Sequence, residues 1–360
     1  MKDIDLIIID GSSGEGGGQV LRSSLTLSLA TGKPFRITKI RAGRKKPGLA
    51  RQHLTAVRAA AEVGKAKVMG DEIGSTDLTF VPRQVSPGNY KFAVGTAGSA
   101  TLVMQTILPA LLTLDGSSNL EIEGGTHNRN APPFEFIDEA YLPVINRMGP
   151  KVAAKLIRPG FEPAGGGKFV VTVEPSQELT QLTINERGEV LEQEMRAVVA
   201  HLSDTIGENE IKSARKRLRW GDAIAKVDRA DHAVCAGNII LLRVKCEHTT
   251  EVTAGFGRFG TAARKVGDEA AREMDHFLKS GSAVGRRLAD QIMLPLALAG
   301  GGRFTTQPLS KHAQTQIDTI RNFLPVTVEV EEKDRHLHEV IIKSAEEGRS
   351  GTKKERENDE

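Results

Sequence analysis

The chain has 360 residues, of which 39% are hydrophobic and 26% charged, with a net charge of +3 at neutral pH. At about 150 residues per domain, that length predicts two or more cores. No apolar run is long enough to span a bilayer, and the acidic start at Asp3 and Asp5 does not read as a signal peptide, so the expectation is a cytoplasmic protein.

Ile4 to Ile9 reads as a buried strand, followed by a glycine-rich loop from Asp10 to Gly18. Leu21, Leu25 and Leu29 then recur every four residues up to Gly32, the pattern of a helix with a glycine stop. A second unit runs from the strand Phe35 to Ile40, through a basic loop, into a helix with Ala50, Leu54, Val57 and Ala61 on one face. Gly64 ends it, and Pro47 is placed at its first turn. Thr101 to Leu112 and Pro133 to Met148 read as helices, and Phe169 to Val173 as a strand.

From about Gln181 to Leu278 glycine loops thin out. The charged run Val190 to Leu202 reads as helical, and Lys212 to Trp220 is strongly basic. This stretch, 181–278, is expected to be a smaller domain inserted into a large one formed by 1–180 and 279–344. Ala283 to Leu298 returns to a helix ending at Gly300-Gly301-Gly302, and Val326 to Val330 and Val340 to Ile342 read as closing strands. Residues 345–360 mix charges with Gly and Ser and are expected to be disordered. Alternating strands and helices give an α/β class in α+β layers.

The two cysteines, Cys235 and Cys246, lack the paired spacing of a zinc site and cannot form a disulfide framework, so they are expected to be buried free thiols. The loop Asp10 to Gln19 offers bare backbone N–H groups at a helix start, but matches neither the dinucleotide nor the P-loop fingerprint. Phosphate binding and a structural turn both stand for it. Glu15 in the loop and Arg22 one turn into the helix add a carboxylate suited to a metal and a cation suited to a phosphate. Arg41, Arg44, Lys45, Lys46 and Arg51 crowd a turn fixed by Gly and Pro, which favours a polyphosphate or RNA-end contact. The cluster Lys212, Arg215, Lys216, Arg217 and Arg219 beside Trp220 reads as a solvated helix face in preference to an RNA contact. His312, just before an apolar-periodic stretch, reads by itself as a surface or capping residue.

Five stretches taken together resemble the RNA 3'-terminal phosphate cyclase family. They are Gly14 to Ser23; Arg41-Ala42-Gly43-Arg44 with Pro47-Gly48-Leu49 and Gln52-His53; Gly98-Ser99 leading to Gln105; Gly124-Gly125-Thr126 with Ala131-Pro132-Pro133; and Leu288 to Gln291 followed by Ser310-Lys311-His312. The likeness runs from about Ile8 to Ile342. It implies a large domain of three repeated units, each of two helices on a four-stranded sheet and similar to the C-terminal domain of bacterial translation initiation factor 3, plus a smaller inserted α/β domain. It also implies ATP-dependent closure of an RNA 3'-phosphate onto the neighbouring 2'-hydroxyl, with His312 as the nucleophile that takes up AMP.

By the same resemblance, Glu15 holds a divalent metal, Mg or Mn, and Arg22, Arg41 and Arg44 face phosphates of ATP or the RNA end. Asp290 stands beside the nucleophile. Gln105, Pro132, Pro133, Phe136 and the run Arg287, Leu288, Ala289, Asp290 and Gln291 are assigned to ATP. Position 287 is Arg where other members are expected to carry Tyr or His against the base, and an Arg plane can still stack on adenine. Non-catalytic relatives that act in ribosome assembly lack the histidine, so its presence argues for an enzyme. Enolpyruvyl transferases share the repeated units but their motifs are not evident. RNA 3'-phosphate ends and ATP are the implied partners, with no membrane, and a monomer or a homodimer is compatible with the surface charge.

Overall fold

A computed structural model describes residues 5–345. The first unit comprises β1 (Ile7–Asp10), α1 (Gln19–Thr31), β2 (Phe35–Thr38), α2 (Arg51–Val63), β3 (Lys67–Met69) and β4 (Leu78–Val81), with sheet order β1-β2-β4-β3. The β1–β2 pair is parallel and the others antiparallel, as a helical crossover followed by a hairpin requires. The Leu21, Leu25, Leu29 stripe is buried, and Gly32 caps α1 in the left-handed region at φ 70°. Pro47 lies in the loop four residues ahead of Arg51, so it does not occupy the first turn of α2 as the sequence suggested.

The second unit repeats the plan with β5 (Asn89–Ala93), α3 (Ala100–Leu111), β6 (Ser118–Gly124), α4 (Phe134–Phe136), a π-helical turn (Ile137–Tyr141), α5 (Leu142–Asn146), β7 (Lys151–Arg158) and β8 (Gly167–Glu174). Its sheet order is β5-β6-β8-β7, again with only the first pair parallel. The third unit opens with β9 (Leu182–Ile184) and is then interrupted by β10 (Val190–Ala200), α6 (Asp204–Leu218), β11 (Ile224–Arg229), β12 (Gly237–Cys246), β13 (Thr250–Phe256) and α7 (Ala263–Ser280). It resumes with α8 (Arg286–Leu298), β14 (Gly301–Thr306), α9 (Lys311–Phe323), β15 (Val326–Asp334) and β16 (Leu337–Ser344), in the order β9-β14-β16-β15. Three sheets thus share one topology, as expected of three repeats.

The interrupting segment builds its own sheet, β11-β10-β12-β13. One face carries a separate core of Met195, Ala197, Ile240, Leu242, Phe277 and Trp220 under α6 and α7. Val190 to Ala200 is a strand, not a helix, because Met195, Ala197 and Val199 alternate with Glu194, Arg196 and Val198, which is period 2. Its charges are held by neighbouring strands, Arg196 by Asp228 at 2.5 Å and Glu194 by Lys226 at 2.8 Å and Arg243 at 2.7 Å. Residues 182–184, given to the insert in the sequence reading, pair with β14 of the third unit. Ala283 to Gly285 precede α8, and Gly301 and Gly302 open a strand where a helix end was expected.

Cys246 is buried and Cys235 half-buried, and both are free thiols. No helix among the described residues is long and apolar enough to cross a membrane. Ile4 and the expected disordered tail beyond Ala345 lie outside the described residues.

Helix α1 packs against both α3 and α9, and α9 in turn against α8. Close packing there is possible because α1 buries Ser23, Ser24, Thr26 and Ser28. Their hydroxyls find acceptors nearby: Ser24 donates to the Val20 carbonyl at 2.7 Å, and Thr26 lies 2.8 Å from the Thr106 carbonyl on α3. On α1 the polar residues Gln19, Arg22, Ser23 and Thr26 follow i, i+3, i+4, i+7 spacing and so mark one face. That face forms part of a cleft.

Candidate active site

The cleft has a volume of about 910 Å³ and is lined by all three units and by the insert. From the first unit, the glycine loop and the basic loop are pressed together. The Gly43 amide donates to the Gly16 carbonyl at 3.1 Å, and a Cβ on Gly16 would lie 2.8 Å from the Gly43 nitrogen. Gly16 also sits at φ 54°, so both backbone conformation and space demand glycine. This contact places Glu15 3.9 Å from Arg44. Arg41, itself at φ 56°, donates to the Gly48 carbonyl at 2.6 Å, which ties the basic loop back onto itself.

The third unit supplies the N-terminus of α9. Ser310 caps it by accepting from the Ala313 amide at 3.0 Å, and the same hydroxyl donates to the Asp290 carboxylate, 3.0 Å from each oxygen. His312 follows in the first turn. Its Nε2 lies 2.9 Å from Glu15 Oε2 and its Nδ1 2.5 Å from Gln19 Oε1. The orientation of the Gln19 amide is fixed by a relay: Gln316 Nε2 donates to the Asp290 carbonyl at 2.9 Å, and Gln316 Oε1 accepts from Gln19 Nε2 at 2.9 Å and from Ser23 at 3.0 Å. Gln19 therefore presents its oxygen to the ring and accepts from Nδ1–H, while Nε2 faces the Glu15 carboxylate, to which it donates only when the ring is protonated; in the neutral imidazole the Nε2 lone pair is available once Glu15 is engaged elsewhere.

Electrostatics sharpen this arrangement. Burial lowers the pKa of His312, and Arg22 and Arg44 lower it further against the opposing pull of Glu15, so the imidazole stays neutral to lower pH than an ordinary histidine. Burial lifts the Asp290 carboxyl to about 7, with Ser310, Arg286 and Arg287 holding it down and Glu15 adding to the rise. His53 is buried beside Arg22, Arg41 and Arg44. Burial first and those charges second bring it to about 3, so it is a neutral group among cations. Burial also brings Arg22 down to about 10, which still leaves it charged at neutral pH.

The second unit adds Gln105 from α3, which donates to Gln291 Oε1 on α8, and the loop Arg129 to Pro132. Gln105 Oε1 is buried without a hydrogen-bond partner. Arg287 is gripped by Glu273 of α7 through two bonds, 2.5 Å from Nε and 3.0 Å from Nη2. That grip fixes the guanidinium plane in the cleft wall.

Of the residues singled out from sequence, Glu15, Arg22, Arg41, Arg44, Gln105, Pro132, Arg287, Asp290, Gln291 and His312 line the cleft. Pro133, Phe136, Leu288 and Ala289 are not among the lining residues. Phe136, Leu288 and Ala289 are core side chains, since on α8 positions 287, 290 and 291 share the cleft face and 288 and 289 turn away from it. Gln19, Gln316, Ser310, Arg129, Arg286 and Glu273 line the cleft without having been assigned a part, and His53 had been noted only within a motif. The polar face on apolar α1 was a readable signal for Gln19. Nothing local marked Glu273, which arrives from the insert.

Comparison with known proteins agrees with the motifs. The family model described as RNA 3'-terminal phosphate cyclase matches residues 13–330. A protein of that name from Koribacter versatilis (strain Ellin345) is 49% identical over 333 residues, 92% of this chain and 94% of the relative. Another from Ectopseudomonas mendocina (strain ymp) is 47% identical over 324 residues, 90% and 94% of the two chains, and one from Salmonella paratyphi C (strain RKS4594) is 46% identical over 343 residues, 95% and 99%. With three like-built units meeting at one arginine-rich cleft and matches spanning nearly the whole sequence, the chain belongs to the RNA 3'-terminal phosphate cyclase family.

Proposed function

We propose that this chain converts an RNA 3'-phosphate to a 2',3'-cyclic phosphodiester at the expense of ATP, through an AMP adduct on His312. The observation that carries the reading is the His312 ring itself: Nδ1 is committed to Gln19 as a donor, and Nε2 faces Glu15, the carboxylate proposed to turn to a divalent ion, in a cleft lined by Arg22, Arg41, Arg44, Arg129, Arg286 and Arg287. A neutral nucleophile among fixed cations suits attack on a polyphosphate, where positioning and charge neutralisation outweigh acid–base power.

In the first step a bond forms between His312 Nε2 and the α-phosphorus of ATP, and the bridging P–O bond breaks with its electron pair leaving on pyrophosphate. Gln19 Oε1 accepts the hydrogen bond from Nδ1–H, which keeps that proton on the ring, so the adduct is an imidazolium phosphoramidate, a reactive donor of AMP. In the second, an oxygen of the RNA 3'-phosphate attacks that phosphorus, the P–N bond breaks, and its electrons return to Nε2. In the third, the 2'-hydroxyl attacks the activated 3'-phosphorus, AMP leaves, and the hydroxyl proton passes to solvent.

Among the described residues no cluster of three or more His, Cys, Asp or Glu side chains could hold a metal by itself. A divalent ion such as Mg or Mn fits as a companion of the phosphates, with Glu15 as the protein carboxylate to hold it. When bound it would supply charge neutralisation on the phosphates. We infer a cytoplasmic site of action, where ATP and RNA ends coincide. Incubation with α-labelled ATP and a divalent ion tests the reading: acid-labile label should appear on the protein and be lost in His312→Ala, whereas a chain that takes up no label would refute it.

A further inference from the structure

The insert carries a surface that the cleft chemistry does not use. On α6, Lys212, Arg215 and Lys216 follow i, i+3, i+4 spacing and form one exposed stripe apart from the buried Ile211 and Ala214, and the exposed Arg219 follows as the left-handed residue that caps the helix. Among the described residues none of the four has an ion-pair partner, whereas Arg217 on the same helix is held by Asp268 at 2.5 Å. The N-terminal turn of α7 lies alongside, with Ser213 donating to the Arg264 carbonyl at 2.8 Å, and adds the exposed, unpaired Arg264 and Lys265. Just ahead of α7, Phe259 is fully exposed on the loop between β13 and that helix. Trp220, the aromatic residue next to the stripe in sequence, is instead buried in the insert's core.

Six unpaired cations are a site for a polyanion, and a fully exposed phenyl ring costs free energy unless something covers it. Backbone-tracking cations beside a bare aromatic face match the requirements of an unpaired nucleic-acid strand, whose phosphates and bases are both available. The place of the surface fits as well. The far end of α7 brings Glu273 and His276 to the cleft, and the twelve residues from Arg264 to His276 span roughly 18 Å at helical rise. A strand whose 3' end enters the cleft therefore has several nucleotides within reach of the insert.

We infer that the α6 stripe, with Arg264, Lys265 and Phe259, is a secondary binding surface for the single-stranded body of the RNA upstream of the reacting end. The inference rests on the proposed RNA substrate, and its test uses RNA that cannot react. Binding of full-length protein to 3'-hydroxyl oligoribonucleotides is measured by fluorescence anisotropy with lengths of about 6 and about 24 nucleotides. The longer RNA should bind at least roughly 10-fold more tightly and with a steeper salt dependence, by about 3 in slope for four phosphate contacts. The variant K212E/R215E/K216E/R219E should reduce the longer RNA to the affinity of the shorter one, and Phe259→Ala, which alters no charge, should weaken it with the salt slope unchanged. Self-adenylation should be unaltered in both variants, since neither touches the cleft. Equal binding of the two lengths by the unaltered protein, long-RNA binding insensitive to both variants, or displacement of RNA by anionic phospholipid vesicles at matched charge would each overturn the inference. Loss of self-adenylation in the unaltered protein would instead sink the cyclase reading and leave the binding result to stand by itself.

Discussion

Glu15 Oε2 and His312 Nε2 stand 2.9 Å apart, although one residue belongs to the loop before the first helix of the first unit and the other to the last helix of the third. The contact sets the titration of the ring: Glu15 holds its pKa up while burial, Arg22 and Arg44 hold it down, and the downward influences prevail. In Glu15→Gln the His312 ring should titrate at still lower pH than in the unaltered protein, and in Arg44→Ala at higher pH. Histidine Hε1 chemical shifts followed against pH check both signs. A shift of both variants in the same direction would contradict the charge assignment.

Gln19 should matter to rate more than to affinity. Gln19→Ala removes the acceptor that keeps the proton on Nδ1, so His312 adenylation is expected to slow by roughly 100-fold with little change in KM for ATP. Single-turnover labelling measures this. If KM rises and kcat holds, Gln19 binds nucleotide and does not orient the ring.

Arg44→Ala is expected to weaken nucleotidylation far more than Lys216→Ala, because Arg44 lines the cleft and Lys216 lies on the outer face of α6. Equal losses would move the working site toward the insert.

Glu273→Ala frees the Arg287 guanidinium from its two-point hold and should raise KM for ATP about 10-fold, through lost orientation of the cleft wall. Glu273→Asp, too short for the same grip, should do nearly as much. Initial rates of labelling against ATP concentration decide it.

Glu251 is buried in the insert, accepts from the Gly285 amide at 3.0 Å, and is pushed by burial to about 8. A carboxyl whose folded pKa lies above its unfolded value binds its proton more tightly when folded. Stability from this group is therefore fully present below about pH 4.5 and declines as pH rises toward 8. Glu251→Gln keeps an acceptor for Gly285 and removes the titration, so it should stabilise the protein by roughly 3 kcal/mol more at pH 8 than at pH 5. Thermal melts at the two pH values test this. A gain of equal size at both would mean that ionisation is not the cause.

The parts of the fold that sequence made legible were those with one dominant period. The four-residue spacing of Leu21, Leu25 and Leu29 predicted α1 to within two residues, because a helix with one buried stripe has no competing pattern. Val190 to Ala200 misled for the opposite reason. It is charged on one face and aliphatic on the other, and its charges are satisfied by partners on other strands that no local window contains. At the site, motif residues with strong chemistry were findable, while Leu288 and Ala289 were carried along by adjacency to Arg287 and Asp290 although a helix turns them into the core. The relay through Gln19 and Gln316 was not legible, since it joins residues 297 positions apart.

A side chain on Gly14 would overlap Thr315 Oγ1, so the loop of the first unit is seated directly on the helix that bears His312. The first and third units are thus closed onto each other at this point, and the cleft is complete only when α9 has docked. Arg22, Arg41 and Arg44 of the first unit therefore share a cleft with the His312 ring only while α9 stays docked on the loop before α1, so that loosening this one seam would part the cations from the imidazole.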